Sequence, residues 1–178
     1  MCKYIIVGKA AAGKNYAQDV FIREGNFKPC IQYTSPPRRH NESGNEYHFI
    51  SDKKITQLYE NNKFISMKTC TNGWKYGLSL EEFKTCDVAI LSPENIMDIK
   101  LKYPELIRLT TIIYLDIPIK IRKERLKNRY VGGSEDDSMK RRIDADERDF
   151  ESFNCYDIRF TNNDDCIKFI ENCLHNPT

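Results

Sequence analysis

The sequence predicts an α/β fold in which helices flank a mostly parallel core sheet of five strands. Apolar runs and helical stretches alternate along the chain, which is typical of parallel strands joined by crossover helices. The runs at 3–7, 87–91 and 110–115 are almost continuously apolar, as expected for buried strands. A glycine-bounded loop separates the first run from the first predicted helix, which is a further α/β feature.

In the first half of the chain, local patterns predict short elements separated by a long loop. After the first strand we expect a helix at 15–24, strands at 29–33 and 47–50, and a surface helix at 52–61. Two prolines, two arginines and Gly44 make 34–45 a loop. The segments 64–71 and 74–77 flank Asn72-Gly73, a strong short-range signal for a β-hairpin.

In the second half, capping residues mark where helices begin. Ser92 is a typical N-cap, and Pro93 then occupies the first helical position. Pro118 opens a basic helix that runs to about residue 130. Gly132-Gly133 and the acidic residues 135–137 predict a flexible break before a further helix. The remaining predicted elements are helices at 139–151 and 164–175 and a strand at 157–160.

The chain of 178 residues is predicted to form a single domain, since no linker or repeat divides it. Its core comprises 1–35 and 80–178, with a small antiparallel insertion at about 36–79. The glycine-containing segment at about 129–142 is predicted to form a helical lid over the core.

Composition excludes several classes of protein. Lys plus Arg is 28 against 26 for Asp plus Glu, so we expect no nucleic-acid polymer as a partner. No apolar run approaches the length of a membrane helix, so no membrane partner is expected. Seven scattered cysteines form no C-x-x-C pair and favour reduced thiols. These features predict a soluble cytoplasmic protein, in the host cytoplasm if the gene is viral.

The strongest motif follows the first strand and opens a helix: Gly8-Lys9-Ala10-Ala11-Ala12-Gly13-Lys14-Asn15. It has the G-x-x-x-x-G-K spacing of a P-loop. Its glycines let successive backbone N–H groups face an anion, and the helix N-terminus adds partial positive charge. All eight residues are candidate ATP-binding residues, and Lys14 is expected to reach the β- and γ-phosphates. The alternative is a chance match in an alanine-rich turn.

Asn15 stands where the P-loop pattern requires Ser or Thr to hold Mg²⁺. An amide oxygen is a hard neutral ligand that can bind the ion directly or through water. Asn15 is therefore the candidate Mg²⁺ ligand, and weak metal binding at this position is the alternative.

Further motifs resemble those of the guanylate kinase family in order and spacing over nearly the whole chain. The resemblance is greatest to short, phage-type members, which carry N-G-W-x-Y-G and A-D-E-x-D-F. The matching segments are Tyr33-Thr34-Ser35-Pro36-Pro37-Arg38, Gly44-Asn45-Glu46-Tyr47-His48-Phe49, Asn72-Gly73-Trp74-Lys75-Tyr76-Gly77-Leu78-Ser79, Arg125-Leu126-Lys127-Asn128-Arg129, Arg141-Arg142-Ile143, Ala145-Asp146-Glu147-Arg148-Asp149-Phe150 and Asn162-Asn163-Asp164. This resemblance implies the P-loop nucleoside monophosphate kinase fold, with the insertion binding the phosphate acceptor.

The resemblance also implies roles for individual residues in transferring phosphate from ATP to a nucleoside monophosphate. The implied catalytic residues are Lys14, Arg38, Arg129 and Arg142, the last two carried by the lid. Asn162 is expected near the adenine of ATP. The implied acceptor-binding residues are Thr34, Arg38, Arg39, Tyr47, Thr69, Tyr76, Ser79 and Ser92. Asp146 and Asp149 are interpreted as helix surface charges, and Arg125 fits a lid role and a solvated charge equally.

Three departures from the family pattern concern the acceptor or the metal. The family's first acceptor arginine has no equivalent, and adjacent Arg39 is the candidate substitute. The family's guanine-reading glutamate falls near residues 69–71, where no carboxylate stands. Ser92 and Pro93 replace carboxylates that the family carries after the strand at 87–91, which leaves Glu94 or Glu46 as candidates for the base or metal.

Three functions remain open from sequence. The first is an ATP- and Mg²⁺-dependent (deoxy)nucleoside monophosphate kinase, with GMP or dGMP as the first candidate acceptor. The second is an inactive guanylate kinase-like module that binds a protein or phosphopeptide. The third is a P-loop kinase with a different small acceptor. A homodimer is compatible with the sequence, which does not indicate an oligomeric state.

Overall fold

The computed structural model describes residues 1–38, 47–70, 73–129 and 135–175. In this part of the chain, four strands form one fully parallel sheet in the order β6-β1-β7-β8. They are β1 (Tyr4–Gly8), β6 (Val88–Ile90), β7 (Thr111–Leu115) and β8 (Ile158–Phe160). The predicted α/β class with a parallel sheet is confirmed.

The predicted fifth core strand is wrong in its extent. Only Pro29 bridges β6, opposite Val88, and the chain then leaves the central sheet. β2 (Gln32–Thr34) belongs instead to a second sheet. At this bridge the Val88 N–H donates to the Lys28 carbonyl and the Cys30 N–H donates to the Val88 carbonyl. From Gln32 onward the backbone pairs with other strands of the second sheet, which ends its pairing with β6.

The second sheet has the order β3-β2-β5-β4 among the described residues. Its other strands are β3 (Tyr47–Phe49), β4 (Phe64–Thr69) and β5 (Lys75–Ser79). β4 and β5 form the predicted antiparallel hairpin, whereas β2 and β3 pair in parallel, so this sheet is mixed. Gly73 has φ 84° in the hairpin turn, a left-handed conformation that favours glycine. The division into core, insertion and lid stays a prediction.

Eight helices surround the two sheets in the described part of the chain. They are α1 (Lys14–Gly25), α2 (Asp52–Glu60), α3 (Leu80–Thr85), α4 (Pro93–Lys102), α5 (Pro104–Arg108), α6 (Ile119–Arg129), α7 (Glu135–Phe150) and α8 (Asn163–His175). The short helices α3 and α5 were not predicted, because a few residues show little periodicity. The predicted break at 135–137 is wrong, since α7 begins at Glu135; acidic residues suit the first turn of a helix.

Alternating side chains of the central strands bury two separate apolar layers. Ile5 and Tyr114 face a layer that contains Ile96 and Ile99 of α4. The opposite layer joins Ile6, Ile113 and Leu115 to α1 and α8, through Val20, Phe21, Cys166 and Ile170. All seven cysteines are free, and four of them are buried. This packing holds the carboxyl ends of β1 and β7 side by side, where Gly8 pairs with Leu115.

Candidate active site at the carboxyl edge of the sheet

The loop between β1 and α1 takes a tight path that its glycines permit. Ala11 has φ 60° and Gly13 has φ 92°, so two residues adopt left-handed conformations. A Cβ on Gly13 would lie 2.5 Å from Asn163 Nδ2, and a Cβ on Gly8 would lie 2.7 Å from the Leu115 carbonyl oxygen. Glycine is therefore required at both ends of the loop, and the predicted strand–loop–helix context is confirmed.

Lys14 begins α1, and its side chain folds back across the loop. Its ammonium donates to the carbonyl oxygens of Gly8, at 2.6 Å, and of Lys9, at 3.0 Å. The charge is thus held over the concave side of the loop. Asn15 is the next residue, and its side chain is exposed.

Two side chains that sequence reasoning did not assign to the loop clamp it from outside. Arg125 donates from Nη1 to the Ala11 carbonyl at 3.1 Å and from Nη2 to Asn163 Oδ1 at 2.8 Å. Asn163 Nδ2 donates to the Ala12 carbonyl at 2.8 Å. Arg125 is therefore more than a solvated helix charge, and its lid role stays a prediction. The N-N-D motif was the available sequence signal for Asn163.

Asn162, the residue predicted near adenine, makes a local contact. Its Oδ1 accepts from the Asp165 N–H at 2.9 Å, in the manner of an N-cap for α8. Its Nδ2 donates to Asp165 Oδ2 at 2.7 Å. The nucleotide role of Asn162 stays a prediction.

α7 places acidic residues against the loop. Asp146 Oδ2 accepts from the Ala10 N–H at 2.6 Å, and Glu147 accepts from the Lys9 ammonium. The hydrogen bond from Lys9, assisted by one from Arg122, holds the pKa of Glu147 below its ordinary value against partial burial. The interpretation of Asp146 as a mere surface charge is wrong, because α7 folds back over a loop that lies far away in sequence.

An open cavity of about 600 Å³ lies beside Lys9 at the carboxyl ends of β7 and β8. Asp116 accepts hydrogen bonds there from the Tyr114 hydroxyl, at 3.1 Å, and from Arg159 Nε, at 2.9 Å. Partial burial acts to raise the pKa of Asp116, but the bonds from Arg159 and Tyr114 hold it below its ordinary value. Burial and the Asp116 carboxylate raise the pKa of Tyr114, so its hydroxyl remains a donor.

Several predicted acceptor residues meet on the second sheet. Thr34 of β2 pairs with Tyr76 of β5 and with Phe49 of β3. The Tyr47 and Tyr76 rings lie 5.9 Å apart with an edge-on geometry. Thr34 is 1% exposed, and its hydroxyl donates to the Lys75 carbonyl at 3.3 Å. The structure therefore brings these three predicted residues together on neighbouring strands.

The two predicted acceptor serines serve as helix caps. Ser79 Oγ accepts from the Glu82 N–H at 3.1 Å at the start of α3. Ser92 forms a capping box with Asn95 at the start of α4. Both contacts follow from the N-cap preference for serine. Contact of either serine with an acceptor stays a prediction.

The remaining predicted residues are either exposed or outside the described part of the chain. Arg38 is exposed beyond β2, Thr69 is exposed at the end of β4, and Arg142 is exposed on α7. Arg129 ends α6, but its side chain lies outside the described part of the chain. So do Arg39, Glu46, Thr71 and the Gly132-Gly133 pair.

Two further features are absent from the part of the chain that the structure describes. It contains no group of three or more His, Cys, Asp or Glu side chains placed to hold a metal ion. None of its helices combines the length and apolar character needed to span a membrane.

Comparison with known proteins agrees with this fold and loop. The sequence model of the guanylate kinase family matches residues 1–176. The chain is 26% identical over 189 aligned positions to a guanylate kinase of Porphyromonas gingivalis (strain ATCC BAA-308 / W83), covering 98% of this chain and 97% of that protein. The crystal structure of guanylate kinase from Anaplasma phagocytophilum superposes with a TM-score of 0.68 at 14% identity, covering 98% of this chain and 85% of that one.

A second crystal structure, of an uncharacterized protein from Eubacterium ventriosum ATCC 27560, matches with a TM-score of 0.52 at 10% identity over 99% of both chains. The architecture is thus the P-loop nucleoside monophosphate kinase fold. The chain belongs to the guanylate kinase family. Membership of this family implies an ATP-dependent kinase that acts on a nucleoside monophosphate.

Proposed function

We propose that this chain transfers the γ-phosphate of ATP to GMP or dGMP, giving ADP and the nucleoside diphosphate. The observation that carries the proposal is the Gly8–Gly13 loop with Lys14 folded over it, in a member of the guanylate kinase family. Phosphoryl transfer needs cations and positioning more than covalent chemistry, and the loop supplies both.

On the donor side, the loop backbone, Lys14 and the N-terminus of α1 would bind the phosphates of ATP. Arg125 and Asn163 hold the loop in shape from outside, so its N–H groups are preorganised before nucleotide arrives. Arg129 and Arg142 would add positive charge near the transferring group. The lid at about 129–142 would exclude water that otherwise accepts the phosphate.

Magnesium would reach the site with ATP. The ion typically takes one or two protein ligands and fills its other positions with water and phosphate oxygens. The exposed Asn15 amide oxygen at the start of α1 fits such a donor set. When bound, the ion neutralises charge on the phosphates.

On the acceptor side, Tyr47 and Tyr76 would donate hydroxyl hydrogen bonds to the α-phosphate, and Arg38 and Arg39 would pair with its charge. Thr34 pairs with Tyr76 in the second sheet, and Ser79 ends the same strand as Tyr76. Thr69 and Ser92 would face the base. Because neither is a carboxylate, which would accept from both N1–H and N2–H₂ of guanine, we propose that base selection is broader than in relatives that carry the glutamate.

The test is an ADP-release assay with ATP and Mg²⁺ against all natural ribo- and deoxyribonucleoside monophosphates in parallel. We expect turnover with GMP, dGMP or both. The variant Lys14→Ala should lose at least about 100-fold in turnover, because it removes the loop's phosphate-stabilising charge. Lys168→Ala, on the exposed face of α8, is the matched control and should retain the wild-type rate.

A catalytically inactive binding module is the second candidate. It is favoured by the absent acceptor arginine and glutamate and by the use of Ser79 and Ser92 as caps. No turnover with any monophosphate, together with binding of a phosphopeptide, would replace the kinase proposal with this one. Turnover of Lys14→Ala at the wild-type rate would refute the role of the loop.

A further inference from the structure

Two consecutive carboxylates of α7 contact loop groups that would bind phosphate in the proposed function. Asp146 Oδ2 is 2.6 Å from the Ala10 N–H, and Glu147 pairs with the Lys9 ammonium. Carboxylate and phosphate oxygens accept hydrogen bonds from the same kinds of donor. In the free protein, an internal anion therefore occupies this outer turn of the loop.

Arg122 of α6 lies next to the same two carboxylates. Its side chain is buried, the residue being 2% exposed, with Nε donating to the Ile117 carbonyl at 3.0 Å and Nη2 donating to Glu147 Oε1 at 2.8 Å. Within the described part of the chain, Nη1 has no hydrogen-bond partner, and it lies 3.9 Å from Asp146 Oδ2. Leaving a buried charged donor unpaired is costly. Nη1 thus lies within ion-pair distance of the Asp146 carboxylate but makes no hydrogen bond to it.

We propose that Arg122, Lys9 and the Ala10 N–H form one anion site, which Asp146 and Glu147 fill in the free protein and a phosphate group of the bound nucleotide takes over. The proposal rests on the proposed function for the identity of that nucleotide. It adds Arg122 to the phosphate-contacting residues and makes the acidic pair of α7 an internal competitor.

The charges at the site support an exchange of anions. Two cations and one backbone donor face two carboxylates, so the acidic pair leaves little net charge behind. Glu147 stays ionised at neutral pH, because the hydrogen bond from Lys9 holds its pKa below the ordinary value. A phosphate that displaces Asp146 meets the Ala10 N–H and gives Arg122 Nη1 the acceptor that it lacks. α7 must then shift, because Asp146 and Glu147 can leave the loop only if this part of the helix moves away from it.

Tripolyphosphate is the appropriate probe, since it carries no base or sugar and reports on phosphate binding alone. Its dissociation constant, and that of ATP, would be measured by calorimetry without Mg²⁺ for the full chain and three variants. Asp146→Asn removes the competing charge and retains the shape of the side chain. Asp144→Asn is the matched control, because Asp144 is an exposed acid on the same helix. Arg122→Lys tests the guanidinium.

We expect Asp146→Asn to bind tripolyphosphate about 3- to 10-fold more tightly than wild type and Asp144→Asn to match wild type, since a charged acceptor bonds more strongly than a neutral one. We expect Arg122→Lys to bind several-fold more weakly. If Asp146→Asn bound tripolyphosphate no more tightly than wild type, Asp146 would not compete with phosphate. An equal gain in affinity in Asp144→Asn would likewise overturn the proposal. Binding by Arg122→Lys as tight as that of wild type would remove Arg122 from the site.

A second readout keeps the test decisive if Arg122→Lys does not fold. In ¹⁵N-labelled protein, Asp146→Asn should move the Ala10 amide resonance, and tripolyphosphate should move the same resonance in wild type. An Ala10 resonance that responds to neither would overturn the proposal. Because this readout needs no acceptor, a protein that binds tripolyphosphate in this way without kinase turnover would refute the proposed function and leave the anion exchange standing.

Discussion

Two features of the structure require glycine at position 13: its backbone conformation and the close approach of Asn163. Its φ of 92° is a conformation that side chains rarely adopt, and a Cβ would meet Asn163 Nδ2 at 2.5 Å. Asn163 could move away only by giving up its bond to the Ala12 carbonyl. The residue therefore couples the backbone path of the loop to the start of α8.

For Gly13→Ala we expect a loss of about 2–3 kcal/mol in the free energy of unfolding, from backbone strain of about 1–2 kcal/mol plus a lost hydrogen bond. Gly73→Ala is a matched control, since Gly73 has φ 84° and no described atom lies within 4 Å of the Cβ position. It should lose only about 1 kcal/mol. Urea unfolding measures both. Equal losses in the two variants would show that Asn163 does not constrain Gly13.

Sequence reasoning at the residue scale worked for the loop and failed for its supports. The glycine spacing predicts the loop because the requirement for glycine is local to each turn. Nothing local in the sequence distinguishes Asn163 from Asn162, and only the position of α8 shows which amide reaches the loop.

At the scale of elements, α4 illustrates a start signal that can be read directly. Ser92 Oγ accepts from the Asn95 N–H at 3.2 Å, and Pro93 follows as the first helical residue. The same serine is a predicted acceptor contact. Capping the helix and contacting the acceptor are separable roles, because a cap needs only a short side chain with an oxygen that accepts a hydrogen bond.

We expect Ser92→Ala to lower the free energy of unfolding by about 1 kcal/mol and Ser92→Asp to preserve it, since aspartate caps as well as serine. If Ser92 also faces the base of the acceptor, Ser92→Asp should lower the KM for GMP, because a carboxylate accepts hydrogen bonds from the guanine edge. Chemical denaturation and steady-state kinetics on the same preparations separate the two roles. A stable Ser92→Asp with wild-type KM would leave Ser92 as a cap alone.

α7 should respond to acid through Glu147. The hydrogen bond from Lys9 lowers the pKa of this carboxyl in the folded state, so its stabilising contribution is present above the ordinary glutamate value near 4.3. That contribution is lost as pH falls through the lower folded pKa. We expect wild type to be more stable than Glu147→Gln at pH 6 and the difference to shrink as the pH falls below the ordinary glutamate value. Thermal unfolding across this range measures it.

Glu151→Gln, an exposed acid just beyond α7, is the control for that titration. It should show little difference from wild type at either pH. A gap between wild type and Glu147→Gln that persists unchanged to pH 3 would contradict an ion pair between Glu147 and Lys9.

At the scale of the whole molecule, α7 connects the two sheets. Asp146 and Glu147 contact the loop after β1, whereas Asp149 pairs with Lys68 of β4 at 2.9 Å. The proposed donor and acceptor regions are therefore bridged by one helix. Ligands that bind at either region should stabilise the folded chain as a unit.

We expect ATP at about 100 times its dissociation constant to add about 2.7 kcal/mol to the free energy of unfolding, a rise in Tm of about 5–10 °C. GMP alone should give a shift of the same sign. Thermal unfolding with each ligand measures these shifts. Guanosine, which has the base and sugar of GMP without the phosphate, is the control. A Tm shift with ATP and none with any monophosphate would contradict the acceptor site.

The sequence by itself determined the parallel sheet, the hairpin and the loop with Lys14. Each depends on residues close together in the chain: a run of apolar side chains, a turn signal, or glycines at fixed spacing. Tertiary structure alone decided that the predicted fifth strand keeps a single bridge at Pro29, that Asn163 donates to the Ala12 carbonyl, and that Asp146 accepts from the Ala10 N–H. The last two contacts join residues 151 and 136 positions apart. Pairs at such distances are selected by how helices pack against the sheet, which local patterns do not specify.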